Sequence, residues 1–199
     1  MRTTIHFAGS AASPDQFPQD GLPEVAFLGR SNVGKSSLLN ALAGVRNLAR
    51  VSSTPGRTRL VNFFRVANDF YLADLPGYGY AKVAESERRG WDRLAASYLL
   101  GRDAIALCVF LLDARHEPSD GDLALQAFLD HHGLAYVVAA TKTDKLGRGA
   151  LLGRMRGLEA GIGRRARAVI ACSAVTGAGK GELWREVREA AARRRQGAA

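Results

Sequence analysis

Residues 29–36 read Gly29-Arg30-Ser31-Asn32-Val33-Gly34-Lys35-Ser36, a complete G-x-x-x-x-G-K-[ST] run. Its residue types suit one chemistry, the cradling of a polyphosphate. The glycines let backbone N–H groups approach an anion where a Cβ would intrude. Lys35 would bring an ammonium to the β- and γ-phosphates, and the Ser36 hydroxyl would be a ligand for Mg2+. The bland alternative is a chance match in a glycine-rich turn. The flanking residues argue against it: Val25–Leu28 before the loop reads as a buried strand, and Ser36–Ala43 after it has helical spacing and ends at Gly44.

Three further clusters follow in order, each at the end of an apolar run. Asp74-Leu75-Pro76-Gly77 offers a carboxylate that can hold Mg2+ through water and a glycine N–H that can meet a γ-phosphate. Thr141-Lys142-Thr143-Asp144 offers a carboxylate able to accept both N1–H and N2–H2 of guanine, an arrangement adenine lacks, while the Lys142 stem can cover the ring face. Cys172-Ser173-Ala174 offers a backbone N–H for guanine O6 and a hydroxyl, Ser173, to orient Asp144. Taken singly, these clusters are weak signals that any strand exit or polar loop can produce. Their order and their common place at strand C-terminal ends make them specific, because ligands of open α/β sheets bind there.

A polar loop, Val51 to Arg59, separates the first helix from the next strand and reads as a switch segment. Thr58 or Thr54 could supply a hydroxyl to Mg2+. Pro55 restricts the backbone of Thr54.

The elements that must position these residues alternate. Strands are expected at Leu60–Val66, Phe70–Asp74, Ala104–Asp113, Leu134–Thr141 and Ala168–Cys172, besides Val25–Leu28. Helices are expected at Glu85–Leu100, Gly121–His132, Ala150–Ala160 and Lys180–Gln196, besides Ser36–Ala43. The three-residue link Ala67-Asn68-Asp69 makes its two strands an antiparallel hairpin. The helical crossovers make the other strands parallel. The expected fold is therefore α/β, a six-stranded mostly parallel sheet with one antiparallel strand and helices on both faces. Residues 1–23 read as a polar lead-in with a short strand over Thr3–Phe7, residues 24–196 as a single domain, and residues 197–199 as a frayed tail. Leu183, Trp184, Val187, Ala190 and Ala191 form an apolar stripe on the last helix, which reads as core.

No apolar stretch approaches the roughly 20 residues of a membrane span, and the first residues have no signal-peptide pattern. A cytoplasmic location is expected. Cys108 and Cys172 lie in apolar runs and read as core residues. The chain carries 28 Lys and Arg against 19 Asp and Glu, a net charge of +9. Lys145, Arg148, Arg154, Arg156, Arg164, Arg165 and Arg167 are interrupted only by Glu159, and Arg193-Arg194-Arg195 closes the last helix. Clustered positive charge points to a polyanionic partner such as nucleic acid, with a solvated basic surface as the competing reading.

The runs Gly-Arg-Ser-Asn-Val-Gly-Lys-Ser-Ser, Thr-Pro-Gly-Arg-Thr, Asp-Leu-Pro-Gly-Tyr-Gly-Tyr-Ala and Thr-Lys-Thr-Asp-Lys-Leu together resemble the EngB (YihA/YsxC) GTP-binding proteins, of the TrmE-Era-EngA-EngB-septin-like GTPase superfamily. The match runs from about Glu24 to the C-terminal helix. It implies a Ras-like G domain of the P-loop NTPase class. It also implies a GTPase switch in assembly of the large ribosomal subunit, needed for normal division and septation. Ribosomal RNA or a pre-50S particle would be the partner, and the protein would be monomeric. By position, the resemblance implies that Ser36 and Thr58 bind Mg2+. It implies that Gly29–Ser36, Gly56, Arg57, Thr58, Arg59, Leu60, Asp74–Gly77, Thr141–Asp144 and Cys172–Ala174 contact GTP or GDP. Lys35, Thr58 and Gly77 would then serve the γ-phosphate. Cys172-Ser173-Ala174 departs from the family's commoner Phe-Ser-Ser.

Ras-like GTPases commonly orient the attacking water with a Gln placed where this chain has Tyr78. Slow hydrolysis is expected without help from a partner or from a monovalent cation, K+, held partly by Asn32. The rival reading of Asn32 is a turn former. Two other functions compete: a septation factor acting on a protein, and a P-loop kinase of small molecules. The kinase is disfavoured by the guanine-type motif and by the lack of an acceptor-binding insertion.

Overall fold

Seven strands form one sheet in the order β1-β3-β4-β2-β5-β6-β7. The computed structural model describes residues 4–45, 47–49, 60–78 and 85–197. The strands are β1 (Ile5–Ala11), β2 (Glu24–Gly29), β3 (Val61–Val66), β4 (Phe70–Asp74), β5 (Ile105–Asp113), β6 (Tyr136–Thr141) and β7 (Ala166–Ala171). The helices are α1 (Lys35–Ala43), α2 (Glu85–Gly101), α3 (Asp120–His131), α4 (Arg148–Gly161) and α5 (Lys180–Gly197).

The count of six strands is corrected to seven. β1 begins within the short strand expected at Thr3–Phe7, runs on to Ala11 and pairs antiparallel with β3. Its sequence, Ile-His-Phe-Ala-Gly-Ser-Ala, has little alternation, and its register shifts between Phe7 and Gly9. Hydrogen bonds from β3 and an edge-on contact of Phe7 with Phe64 (5.8 Å between ring centroids) hold a segment that its own pattern would not. The β3–β4 hairpin is antiparallel as expected, so β3 alone runs against the other six strands.

The central strands carry apolar residues on both sides because both faces are covered. On one face Val25, Phe27, Leu107, Val109, Leu111, Val137 and Ile170 pack against Leu38, Leu39 and Leu42 of α1 and Leu183, Val187, Ala190 and Ala191 of α5. On the other, Ala26, Leu28, Cys108, Phe110, Leu112, Tyr136 and Val138 meet Leu94, Tyr98 and Leu99 of α2, Leu129 of α3 and Leu158 of α4. The stripe expected on α5 is thus core, with Trp184 at its border. The Trp184 indole N–H donates to the Leu42 carbonyl (2.9 Å), and the Arg188 guanidinium lies 5.0 Å over its ring.

The start of β2 is pinned by a charge. Glu24 is fully buried, and its carboxylate accepts hydrogen bonds from the Tyr98 hydroxyl (2.6 Å) and from Nε (3.3 Å) and NH2 of Arg102. The same guanidinium reaches the Pro18 carbonyl and lies 5.7 Å from the Phe17 ring. Phe17 is itself core, so residues before β2 are packed into the same structure.

The order in which strands are added across the sheet reverses about β2. The chain builds β3 and β4 on one side of it and β5, β6 and β7 on the other. The loop leaving β2 therefore opens at the switch point of the sheet, where an α/β fold leaves a crevice.

Candidate functional site

The phosphate-loop residues connect β2 to α1 at this crevice. Asn32 and Gly34 both have positive φ (63° and 105°), and Gly34 caps α1 in the left-handed region. Asn tolerates that region and glycine favours it, so the turn has the residues it requires. Asn32 thus performs the turn-forming role. Val33 is buried, and its carbonyl accepts from the Thr141 hydroxyl at 2.7 Å, tying the phosphate loop to the end of β6. Lys35 opens α1 and pairs with Asp74 at the end of β4. Asp74 is 4% exposed. Ser36 lies in the first turn of α1. With Asp74 it offers oxygen donors at a helix N-terminus, the ligand type Mg2+ takes.

The D-L-P-G segment lies directly on the phosphate loop. Ser31 N–H donates to the Tyr78 carbonyl (2.9 Å), and Ser31 Oγ donates to the Gly77 carbonyl (3.2 Å). A Cβ on Gly77 would stand 2.9 Å from Ser31 N, so no other residue fits this approach. Leu75 is fully buried and Pro76 is buried. Neither side chain is free to meet a ligand, and their part is to fix the strand exit.

Tyr78 is engaged elsewhere. Its hydroxyl donates to Asp122 Oδ1 at 2.6 Å. Asp122 is 5% exposed, and its other oxygen accepts from the backbone N–H and the hydroxyl of Ser119 in the capping box that starts α3. Burial, then the Asp122 hydrogen bond, pushes the phenol far above its ordinary pKa. It neither gives nor takes a proton near neutrality.

Asp144 stands in a single helical turn, Thr143–Lys145, just after β6. Ser173 Oγ, at the exit of β7, donates to Asp144 Oδ1 at 2.7 Å. The Ser173 hydroxyl in turn accepts from the N–H groups of Val175 and Thr176 (3.2 and 3.1 Å). With its acceptor side occupied, its one proton points to Asp144. The Ser173 hydrogen bond, with a smaller contribution from Lys145, holds the Asp144 carboxyl below the usual carboxylate range. Thr143 Oγ1 donates to the Cys172 carbonyl (2.9 Å), which knits the two loops together. Cys172 is buried and Ala174 exposed. Lys142 Nζ donates to the Asn32 carbonyl at 2.7 Å.

The four motif loops therefore lie at one edge of the sheet and are bonded to one another. Arg30 is exposed, and Leu60 is half-buried just before β3. Gly56, Arg57, Thr58 and Arg59, with Thr54 and the rest of the expected switch loop, lie outside the described residues. Asp113, at the end of β5 between Arg115 and Lys142, belongs to none of the motifs and was missed by sequence reasoning. Its only signal is an acid closing an apolar strand.

Known proteins place this geometry. The family model described as 50S ribosome-binding GTPase matches residues 24–142. The probable GTP-binding protein EngB of Syntrophus aciditrophicus is 45% identical over 187 residues, which cover 94% of this chain and 95% of that protein. The chain belongs to the EngB family of GTP-binding proteins. The probable EngB of Solibacter usitatus is 48% identical over 181 residues, 91% of this chain and 93% of its own. The crystal structure of a probable GTP-binding protein EngB covers 85% of this chain and 99% of its own, with a TM-score of 0.68 at 23% identity, and so shares the fold. The EngB-family chain is thus a Ras-like P-loop GTPase whose ligands are GTP and GDP.

Proposed function

We propose that this EngB-family protein is a slow, Mg2+-dependent GTPase that switches on and off a precursor of the large ribosomal subunit, and that division and septation depend on it through that role. It acts as a cytoplasmic monomer. Lys35, Ser36, Gly77 and a switch threonine, Thr58, serve the γ-phosphate and Mg2+, and Asp144 reads guanine. The bound Mg2+ would supply charge neutralisation between the β- and γ-phosphates.

The observation that carries the ribosomal reading is an uncompensated set of arginines. Part of the basic cluster is offset within the chain: Arg154 pairs with Glu117, Arg167 with Glu186 (3.3 Å), Arg193 with Glu189 and Arg195 with Asp69. Lys145 lies beside Asp144. Arg148, Arg156, Arg164 and Arg165 are exposed and make no ion pair among the described residues. Four unmatched guanidiniums suit the phosphates of RNA. The family description, 50S ribosome-binding GTPase, agrees with that partner.

Charge reversal at Arg156, Arg164 and Arg165 is expected to abolish GTP-dependent co-sedimentation with large-subunit particles while GDP binding persists. Wild-type association should weaken steeply with salt. Arg167 is left intact because its loss would strand Glu186. Full particle binding by the triple variant, or association with division complexes instead, would remove the ribosomal assignment.

Slow hydrolysis follows from the engagement of Tyr78 with Asp122, which leaves its hydroxyl a poor group for orienting water. A K+ ion assisted by the Asn32 side chain would supply the missing stabilisation. Turnover is then faster in K+ than in Na+, and Asn32→Ala erases the difference. Equal rates in the two salts, measured by phosphate release, would leave only a partner to supply it.

A further inference from the structure

Lys142 has an unusual backbone and a heavily anchored side chain. Its φ of 59° lies in the left-handed region, which a non-glycine residue keeps only when its surroundings over-determine it. From the end of β6 its side chain crosses the phosphate loop, and its Cε lies 3.8 Å from where a Cβ on Gly34 would stand. Nζ donates to the Asn32 carbonyl at 2.7 Å and to Asp113 Oδ2 at 2.9 Å. Three loops, after β2, β5 and β6, thus meet at one ammonium.

Asp113 is built to hold that ammonium. All its acceptor positions are directed. Oδ1 accepts from Arg115 Nε (2.9 Å) and the Arg115 N–H (3.1 Å), and Oδ2 accepts from Arg115 NH2 (2.8 Å) and Lys142 Nζ. The Asp113 side chain is 17% exposed and that of Arg115 40%. Burial opposes the charge of Asp113, but the bonds from Arg115 and Lys142 outweigh it and hold the carboxyl well below the usual carboxylate range.

We infer that Asp113 is a positioning residue for guanine-nucleotide binding, fixing the Lys142 ammonium against the Asn32 carbonyl so that the lysine stem is in place before the nucleoside arrives. A free lysine side chain has many rotamers. Ordering it in advance removes that entropy loss from the binding step. The inference deepens the proposed function and rests on its reading that Thr141–Asp144 holds the base. The competing use of Asp113 is local, a cap for the loop after β5 through Arg115 alone.

Dissociation of a fluorescent GDP analogue from the whole chain, with Mg2+ present, separates these uses. Asp113→Asn should speed release about tenfold or more, the worth of one charge-assisted hydrogen bond. Lys142→Ala should do likewise. In the Lys142→Ala background, Asp113→Asn should add no more than about a factor of two, because the two changes break one interaction. Arg115→Ala should stay within about twofold of wild type. Additive effects in the double variant, or release from Arg115→Ala as fast as from Asp113→Asn, would overturn the inference. If Asp113→Asn folds poorly, Asp113→Glu, which keeps the charge but displaces it by one methylene, enters the same cycle. A base-switch measurement on Asp144→Asn runs beside it. A switch there with an additive cycle removes the role of Asp113 alone. A coupled cycle without the switch removes the base reading, and the nucleoside role of Asp113 with it.

Discussion

Asp144→Asn is expected to lose GDP affinity by several kcal/mol and to gain affinity for xanthosine diphosphate. A charge-assisted hydrogen bond is worth about 1.5–3 kcal/mol, and this carboxylate is placed to accept two from guanine. The surroundings decide how the variant side chain will sit. Ser173 Oγ must donate to an oxygen, since its own acceptor side takes the N–H groups of Val175 and Thr176. The oxygen of the introduced carboxamide therefore faces Ser173, and its NH2 replaces Oδ2, turning an acceptor into a donor. Guanine N1–H and N2–H2 meet that donor badly, whereas xanthine offers an oxygen in place of the amino group. Titration calorimetry with both diphosphates tests this. Unchanged GDP binding with no gain for XDP means that the base is read elsewhere.

Arg102→Ala is expected to cost about 3–5 kcal/mol of folding stability, the range for removing one partner of a buried ion pair. Glu24 is fully buried, and Arg102 supplies its only positive charge among the described residues. Without the guanidinium the carboxylate keeps a single side-chain partner among the described residues, the Tyr98 hydroxyl. It must then stay charged in apolar surroundings or take up a proton. Replacing the whole set, Glu24→Leu with Tyr98→Phe and Arg102→Met, should cost less than the single change, because no polar group is then stranded. Urea denaturation followed by circular dichroism gives both numbers. A loss below about 1 kcal/mol for Arg102→Ala would mean that water or a proton replaces the guanidinium at little cost.

Much of the site was legible in the residues alone. Gly29–Ser36 lies between a buried strand and a helix, and the hairpin through Ala67-Asn68-Asp69 forms as its length implied. The four motifs follow strands β2, β4, β6 and β7 in order. Each of these signals is local. Periodicity, glycine placement and strand–loop–helix order involve residues near one another in the chain, and short-range sterics and burial enforce them there.

β1 was harder to read. Ile5–Ala11 has little alternation of its own beyond Phe7, and its residues pair with β3 residues fifty or more positions later. The charge cluster was legible as composition but not as surface. Seven basic residues between Lys145 and Arg167 look alike in sequence, yet Glu117 neutralises Arg154 and Glu186 neutralises Arg167 from other elements. Tyr78 was recognised for the glutamine it replaces. Its bond to Asp122, which commits the hydroxyl, crosses from the exit of β4 to α3.

By itself, then, the sequence determined the fold class, the order of the loops and the chemistry each can offer, since those follow from residue type and local spacing. The tertiary structure decided which charges remain free, which hydroxyl is already committed, and that Asp113 belongs with Lys142 and Asn32. These outcomes depend on contacts between residues far apart in the chain, and such a contact leaves no periodicity in either of the segments that make it.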